Sequence, residues 1–238
     1  MRLKIATGCA CVFALIAAPH RPAMGQPSGQ KPAADWQEAF AVGADDLATV
    51  GESTYLVLTP GYQLTLEGRE SGKTVRLVIT VLDETRIVGG IETRVVEERE
   101  SENGALVEVS RNYMAIHKTT RDVYYLGEDV DVYKGGKVVN HEGAWLHGTA
   151  GAKLGLLVPA APVVGQRYYQ EVAPKVAMDR AEVVSVSERM TTPAGTFERC
   201  LKTEESTPLE PGREAKLYAP GVGLVKDASL VLISYTKR

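Results

Sequence analysis

Residues 191–227 read TTPAGTFERCLKTEESTPLEPGREAKLYAPGVGLVKD, and this stretch decides the fold class. Clusters of turn-forming residues, Pro193-Ala194-Gly195, Pro211-Gly212 and Pro220-Gly221, alternate with runs of strand-forming residues such as 196–204. Proline presets φ and glycine accepts a positive φ, so such clusters mark turns for a physical reason. The stretch therefore predicts short antiparallel strands joined by tight connections.

The same pattern continues upstream of this stretch. In residues 73–82, Val75, Leu77 and Val81 alternate with polar side chains, as in a sheet that has one face in water. Asn103-Gly104 is a strong hairpin signal between two further strand-forming runs. Together these signals predict a mainly β fold, a single curved antiparallel sheet, half-barrel or barrel-like, over residues 50–238.

The N-terminus has the pattern of a signal peptide. Arg2 and Lys4 precede an uncharged apolar run, residues 5–18, and small residues surround Gly25. This run is shorter than the roughly 20 residues that a membrane span needs. We therefore expect a signal peptide at residues 1–25, cleavage near Gly25 and a periplasmic or secreted bacterial protein. Retention of the segment as an anchor and lipidation stay open as alternatives.

Residues 26–49 separate the signal peptide from the β domain. Residues 26–34, QPSGQKPAA, have the composition of a linker. Asp35 is a suitable cap for a short helical segment that contains Trp36 and Phe40. No later segment is long and apolar enough to predict a transmembrane helix in the mature chain.

Charge and cysteine content narrow the classes of partner. The whole chain has 27 basic and 30 acidic residues, and cleavage after Gly25 leaves 24 and 30, a formal charge of −6. This disfavours nucleic acid and anionic membrane surfaces, which need a basic footprint, and is compatible with cations, neutral lipids or peptides. Cys200 would be the last cysteine of the mature chain, and a lone cysteine is more often packing than a nucleophile.

A hairpin around Gly135-Gly136 gathers acidic side chains. A two-residue turn places Asp131 opposite Asn140 and Asp129 opposite Glu142, all on one face. Carboxylates directly opposite each other are unfavourable, so solvent, a Lys or Arg from a neighbouring strand, or a cation should relieve them. Because all four ligands are oxygens, Ca²⁺ is the cation that they suit. A solvated acidic face is the alternative.

Other stretches bear on ligand binding and catalysis. Leu154–Pro162 is rich in small and apolar residues and could form a mobile flap over a cavity. Glu97 and Glu98 are adjacent, so they face opposite sides of a strand and are interpreted as surface charge. No pair of nucleophile and base is visible, so we expect no catalytic residues and no enzymatic activity.

Several segments resemble a family of uncharacterised bacterial exported proteins. They are Tyr124–Asp129, Glu142–Trp145, Pro193–Phe197 with Cys200, and Tyr218–Val225. The Pro193–Phe197 and Tyr218–Val225 segments are also similar, more loosely, to envelope proteins with a curved sheet like that of lipoprotein carriers. The resemblance implies a β-rich periplasmic or secreted domain, and it implies no activity.

Three functional classes follow from these observations. The first is a binding module that holds a hydrophobic or lipid ligand on the concave face of its sheet. The second is a Ca²⁺-binding structural domain centred on Asp129, Asp131, Asn140 and Glu142. The third, for which the sequence offers least support, is a hydrolase. The ligand, the protein partners and the oligomeric state are left open.

Overall fold

The computed structural model describes residues 35–236, nearly all of which belong to strands or to the turns between them. The predicted signal peptide and the linker up to residue 34 lie outside the described residues. The strands in chain order are β1 Leu47–Ala48, β2 Gly51–Glu52, β3 Val57–Leu58, β4 Gln63–Glu70, β5 Lys73–Val88, β6 Ile91–Glu102, β7 Ala105–His117, β8 Val123–Lys134, β9 Lys137–Asn140, β10 Trp145–Leu146, β11 Lys153–Val158, β12 Arg167–Tyr169, β13 Glu171–Val172, β14 Arg180–Thr192, β15 Gly195–Ser206, β16 Glu214–Ala219, β17 Gly223–Asp227 and β18 Leu230–Tyr235.

Thirteen antiparallel strands form one nearly closed, barrel-like sheet, which confirms the predicted mainly β architecture. Their order is β12-β14-β15-β16-β17-β18-β4-β5-β6-β7-β8-β11-β13. The two ends of this order, β12 and β13, are separated in the chain by Gln170 alone. Residues 167–172 therefore pair with β14 through their first half and with β11 through their second half. This segment is the seam that joins the two edges of the sheet.

Gly155 on β11 allows the seam to approach. A Cβ atom at this position would lie 2.2 Å from the carbonyl oxygen of Gln170 and 2.3 Å from its carbonyl carbon. Any other residue would require the backbone of the seam to move. The closure of the sheet thus depends on a missing side chain.

The turns follow the sequence signals. Ser71 and Gly72, Asn103 and Gly104, and the pair Gly135-Gly136 all have positive φ values between 48° and 83°. Two consecutive residues with positive φ are typical of the two-residue hairpin turns that match the twist of a sheet. The predicted alternation on β5 is confirmed as well, since Val75, Leu77 and Val81 are buried in the core.

The predicted short helical segment before residue 50 is wrong. Within residues 35–50 the structure has one 3-10 turn, Ala44–Asp46, and otherwise an extended chain. Trp36 lies beneath the guanidinium of Arg180, 4.4 Å from the ring centroid, and the backbone of Gln37 bonds to β12. These contacts with the barrel favour an extended chain over the local helical preference.

The predicted flap over residues 154–162 is wrong as well. Residues 153–158 form β11, an internal strand that lies between β8 and β13. Leu154, Leu156, Leu157 and Val158 are all buried. Strand β11 is apolar because both of its faces are buried. Composition alone does not distinguish such a strand from a segment that covers a cavity.

We expect Gly155→Ala to lower the free energy of unfolding by about 1–3 kcal/mol, the usual cost of overpacking a core. Urea denaturation measures this loss. The matched control is Gly43→Ala, because Gly43 has an ordinary φ of −123° and its Cβ would meet Asp46 at 3.8 Å. Equal stability of the two variants would contradict the proposed role of Gly155 at the seam.

Candidate functional site

The interior of the barrel collects alternate side chains from each strand. On β6, Val96, Glu98 and Glu100 share the inner face, because successive side chains of a strand point to opposite sides. The antiparallel register places Glu98 beside Ile79 of β5 and Ser110 of β7. Glu98 therefore faces the interior, and its interpretation as surface charge is wrong. The alternation was visible in the sequence, but which face would be inside was not.

One half of the interior contains an apolar cavity. Its volume is about 70 Å³, several times the roughly 10–15 Å³ that one water needs. Most of its lining consists of aliphatic and aromatic side chains, among them Leu64, Ile79, Val81, Val96, Met114 and Leu224. Asn112 and Tyr125 also line it, and their polar groups are paired, since the Tyr125 hydroxyl donates to Asn112 Oδ1 at 2.6 Å.

The other half contains an acidic cavity, also of about 70 Å³. Within residues 35–236, six carboxyl groups and one ammonium line it: Glu70, Glu98, Glu100, Glu108, Glu214, Asp227 and Lys216. Several of the carboxyl groups are brought together by register, since Glu100 of β6 lies directly opposite Glu108 of β7. This cavity is therefore a region of concentrated negative charge.

The two cavities follow one another along the strands. On β5, Val75 and Leu77 line the acidic cavity, and Ile79 and Val81 line the apolar cavity. Glu98 lines both cavities and stands at their boundary. The interior thus changes from apolar to acidic over a few residues of strand length.

Lys216 is a buried cation of the interior, with 3% of its surface exposed. Its Nζ atom lies 2.8 Å from Glu205 Oε2 and 3.8 Å from Asp227 Oδ2. Burial by itself lowers the pKa of Lys216, but the two carboxylates outweigh this effect and hold the pKa well above its usual range. Lys216 therefore stays charged and neutralises part of the acidic lining.

Other interior carboxyl groups hold their protons more tightly than usual. Burial raises the pKa of Glu98 to about 7; the positive charge of Lys216 opposes this rise, and the negative charges of Asp227 and Glu128 add to it. Burial likewise raises the pKa of Glu214 to about 7, again with a contribution from Asp227. Among residues 35–236, no side chain donates a hydrogen bond to Glu98 or forms an ion pair with it.

A small cavity of about 10 Å³ adjoins the apolar cavity and shares Tyr125 and Leu157 with it. Glu171 lines the small cavity and is only 2% exposed. Its Oε2 atom has no hydrogen bond of normal geometry within the described part of the chain, although the Trp145 side chain interacts with this carboxyl group. Burial, followed by the charge of Asp179, raises the pKa of Glu171 to about 8.

The carboxylates of the predicted cation site lie on the outer face of the sheet, away from these cavities. Asp129 accepts hydrogen bonds from Arg86 and from the Tyr113 hydroxyl, the latter at 2.7 Å. Asp131 accepts a hydrogen bond from Arg111 at 3.2 Å. Arg111 of the neighbouring strand β7 and Arg86 of the more distant strand β5 therefore supply positive charge beside the two carboxylates.

The register of the hairpin differs from the predicted one. A bulge at Val139 places Asn140 opposite Val132 instead of Asp131. Strand β9 ends at Asn140, so Glu142 lies beyond the ladder, and both residues are exposed. In residues 35–236 no three His, Cys, Asp or Glu side chains gather as a metal centre would require. Binding of Ca²⁺ by Asp129, Asp131, Asn140 and Glu142 stays a prediction.

Cys200 is fully buried. The preceding residue, Arg199, has a positive φ of 55°, and this irregularity turns both Cys200 and Leu201 towards the core. Burial raises the pKa of the thiol, which disfavours the reactive thiolate. The location fits the interpretation of Cys200 as a packed side chain.

Comparisons with known proteins do not assign a function to this chain. No protein-family profile and no curated protein matches the chain. A crystal structure of a provisionally assigned lipoprotein from Parabacteroides distasonis ATCC 8503 aligns with 78% of this chain and 100% of its own, at 14% identity and a TM-score of 0.39. A likeness this distant assigns neither a function nor a location. Within residues 35–236, no helix has the length and apolar character needed to cross a lipid bilayer.

We expect Lys216→Met to lower the free energy of unfolding by about 3–5 kcal/mol, because it leaves buried carboxylates without their cation. Adding Glu205→Gln to this variant should recover part of the loss. Urea denaturation measures both effects, and Lys137→Met, at an exposed position of the hairpin, is the control. A loss no larger than that of the control would refute the role of Lys216.

Glu171 should make the protein less stable as the pH rises. Its pKa is about 8 in the folded state against an ordinary 4.5, so its contribution to stability is complete below pH 4.5 and is lost by about pH 8. We expect Glu171→Gln to reduce the loss of stability between pH 5 and pH 8, by up to about 1.4 kcal/mol per pH unit. Urea denaturation at both values tests this, with the exposed Glu210→Gln as control. If stability depends on pH in the same way in Glu171→Gln as in the wild type, the predicted effect of Glu171 is ruled out.

Proposed function

We propose that the protein is an exported, non-enzymatic binding module of the bacterial envelope that holds a hydrophobic or lipid ligand inside its curved sheet. The observation that carries the proposal is the apolar cavity of about 70 Å³ on the concave side of the sheet. The signal-peptide pattern at residues 1–25 supports export.

Binding in this cavity has a clear driving force. Removing apolar surface from water contributes about 25 cal/mol per Å². Binding pockets of this kind combine an apolar lining with a few polar groups that orient the ligand. The lining of the apolar cavity contains three such polar side chains, those of Glu98, Asn112 and Tyr125.

Connecting segments cover the apolar end of the barrel. The Tyr62 hydroxyl donates to the Val222 carbonyl at 2.8 Å, and the Gly221 amide donates to the Thr54 carbonyl at 2.8 Å. Leu56, in the same cover, lines the cavity and is partly exposed. We infer that a ligand enters past this cover, which a few hydrogen bonds hold in place.

We expect 1-octanol, a neutral apolar probe, to bind the folded protein saturably at one site. Ile79→Phe should weaken this binding about tenfold or more, because the larger ring occupies the cavity. Val78→Phe, on the opposite face of the same strand, should leave the dissociation constant unchanged. Isothermal titration calorimetry gives the constants, and circular dichroism checks that each variant folds.

Two results would count against the proposal. One is the absence of saturable binding to the folded wild-type protein. The other is an equal effect of Ile79→Phe and Val78→Phe, which would locate the probe outside the apolar cavity. A native mass spectrum of the purified protein provides an independent readout, since a retained hydrophobic ligand adds a defined mass.

A further inference from the structure

The order of the two cavities constrains the chemistry of a ligand. The apolar cavity and the acidic cavity share Glu98 and follow each other along the strands. From Leu77 to Val81 the lining changes character over four residues, or roughly 13 Å at 3.3 Å per residue. A ligand that lies along these strands therefore has its two ends in different surroundings.

We propose that the ligand is a cationic amphiphile, in which a protonated amino group lies beside Glu98 in the acidic cavity and a hydrocarbon body fills the apolar cavity. This inference rests on the proposed function, because it assumes that the apolar cavity receives a ligand. It adds the charge of the polar group and the direction in which the ligand lies.

The balance of charge selects the sign of that group. Among the described residues, six carboxyl groups line the acidic cavity, and Lys216 is the ammonium group in its lining. Lys216 is already 2.8 Å from Glu205, outside this lining, and 3.8 Å from Asp227. An anionic head group would meet repulsion here, and a neutral one would gain little. An ammonium group gains charge-assisted hydrogen bonds, which are stronger than those between neutral groups.

Unpaired carboxyl groups supply a second, independent argument. Glu171 is 2% exposed, and its Oε2 atom lacks a hydrogen bond of normal geometry among residues 35–236, although the Trp145 side chain interacts with this carboxyl group. It lines the small cavity, which shares Tyr125 and Leu157 with the apolar cavity. Glu98, at the boundary, likewise lacks an ion pair or hydrogen bond in the described part of the chain. Buried polar groups without partners are costly, so interior acceptors of this kind indicate a donor that arrives with the ligand.

An organic ammonium fits these surroundings better than a bare metal ion. No grouping of three or more metal-ligating side chains exists within residues 35–236. A metal ion would also leave the adjoining apolar cavity unused. A molecule with both an ammonium group and an apolar body occupies both cavities at once.

Three probes of equal chain length separate the contribution of the head-group charge from that of the hydrocarbon chain. They are octylamine, 1-octanol and octanoate, each titrated calorimetrically at pH 7.5. We expect octylamine to bind about tenfold or more tightly than 1-octanol, and octanoate to bind most weakly. Glu98→Gln should reduce the ratio of the octanol to the octylamine dissociation constant towards one. The matched control is Glu97→Gln, because Glu97 is the neighbour of Glu98 on the opposite face of β6 and should leave this ratio unchanged.

Each outcome has a distinct meaning. If 1-octanol and octylamine bind equally well, the cationic inference is overturned while the proposed function stands. If none of the probes binds the folded wild-type protein, the proposed function itself fails. An amine preference that Glu97→Gln reduces as much as Glu98→Gln would place the ammonium on the outer face and reject the interior site. Because the test uses a ratio within each variant, a general loss of stability does not imitate the expected result.

Discussion

The pairing of residues 167–172 on both of their sides is the constraint on which the rest of the structure depends. Without this seam the sheet would have two free edges and no interior. Strand edges are costly to leave open, since each presents unpaired backbone groups to other chains. Gly155 is what lets the backbone of Gln170 approach β11 closely enough to complete the pairing.

The closure of the sheet determines which charged side chains face the interior. Once the sheet curves on itself, every second residue of each strand faces a confined interior, whether it is apolar or charged. The carboxyl groups on β6, β7 and β16 are forced together there, and Lys216 neutralises part of their charge. Replacing such groups with well-packed apolar ones is often neutral or stabilising, so stability alone does not explain them.

Acidic side chains on the outer face of the sheet are neutralised in a different way. Asp129 pairs with Arg86 of β5 and Asp131 with Arg111 of β7, and solvent also weakens repulsion there. The two faces of the sheet thus differ in what balances their acids. Outside, it is paired arginines and water, whereas inside it is one lysine and, in our proposal, the ligand.

The sequence alone determined the strands and turns, because hairpin turns and alternating side chains depend on the φ preferences and polarity of neighbouring residues. Glycine or asparagine at positions 72, 103, 104, 135 and 136 is enough to locate three hairpins. It also showed that Glu97 and Glu98 face opposite ways. Only the tertiary structure decided that Glu98 is inside, that β11 is a buried strand and that Trp36 lies in an extended segment. Each of these depends on contacts between residues far apart in the chain, above all on the seam, which local sequence does not encode.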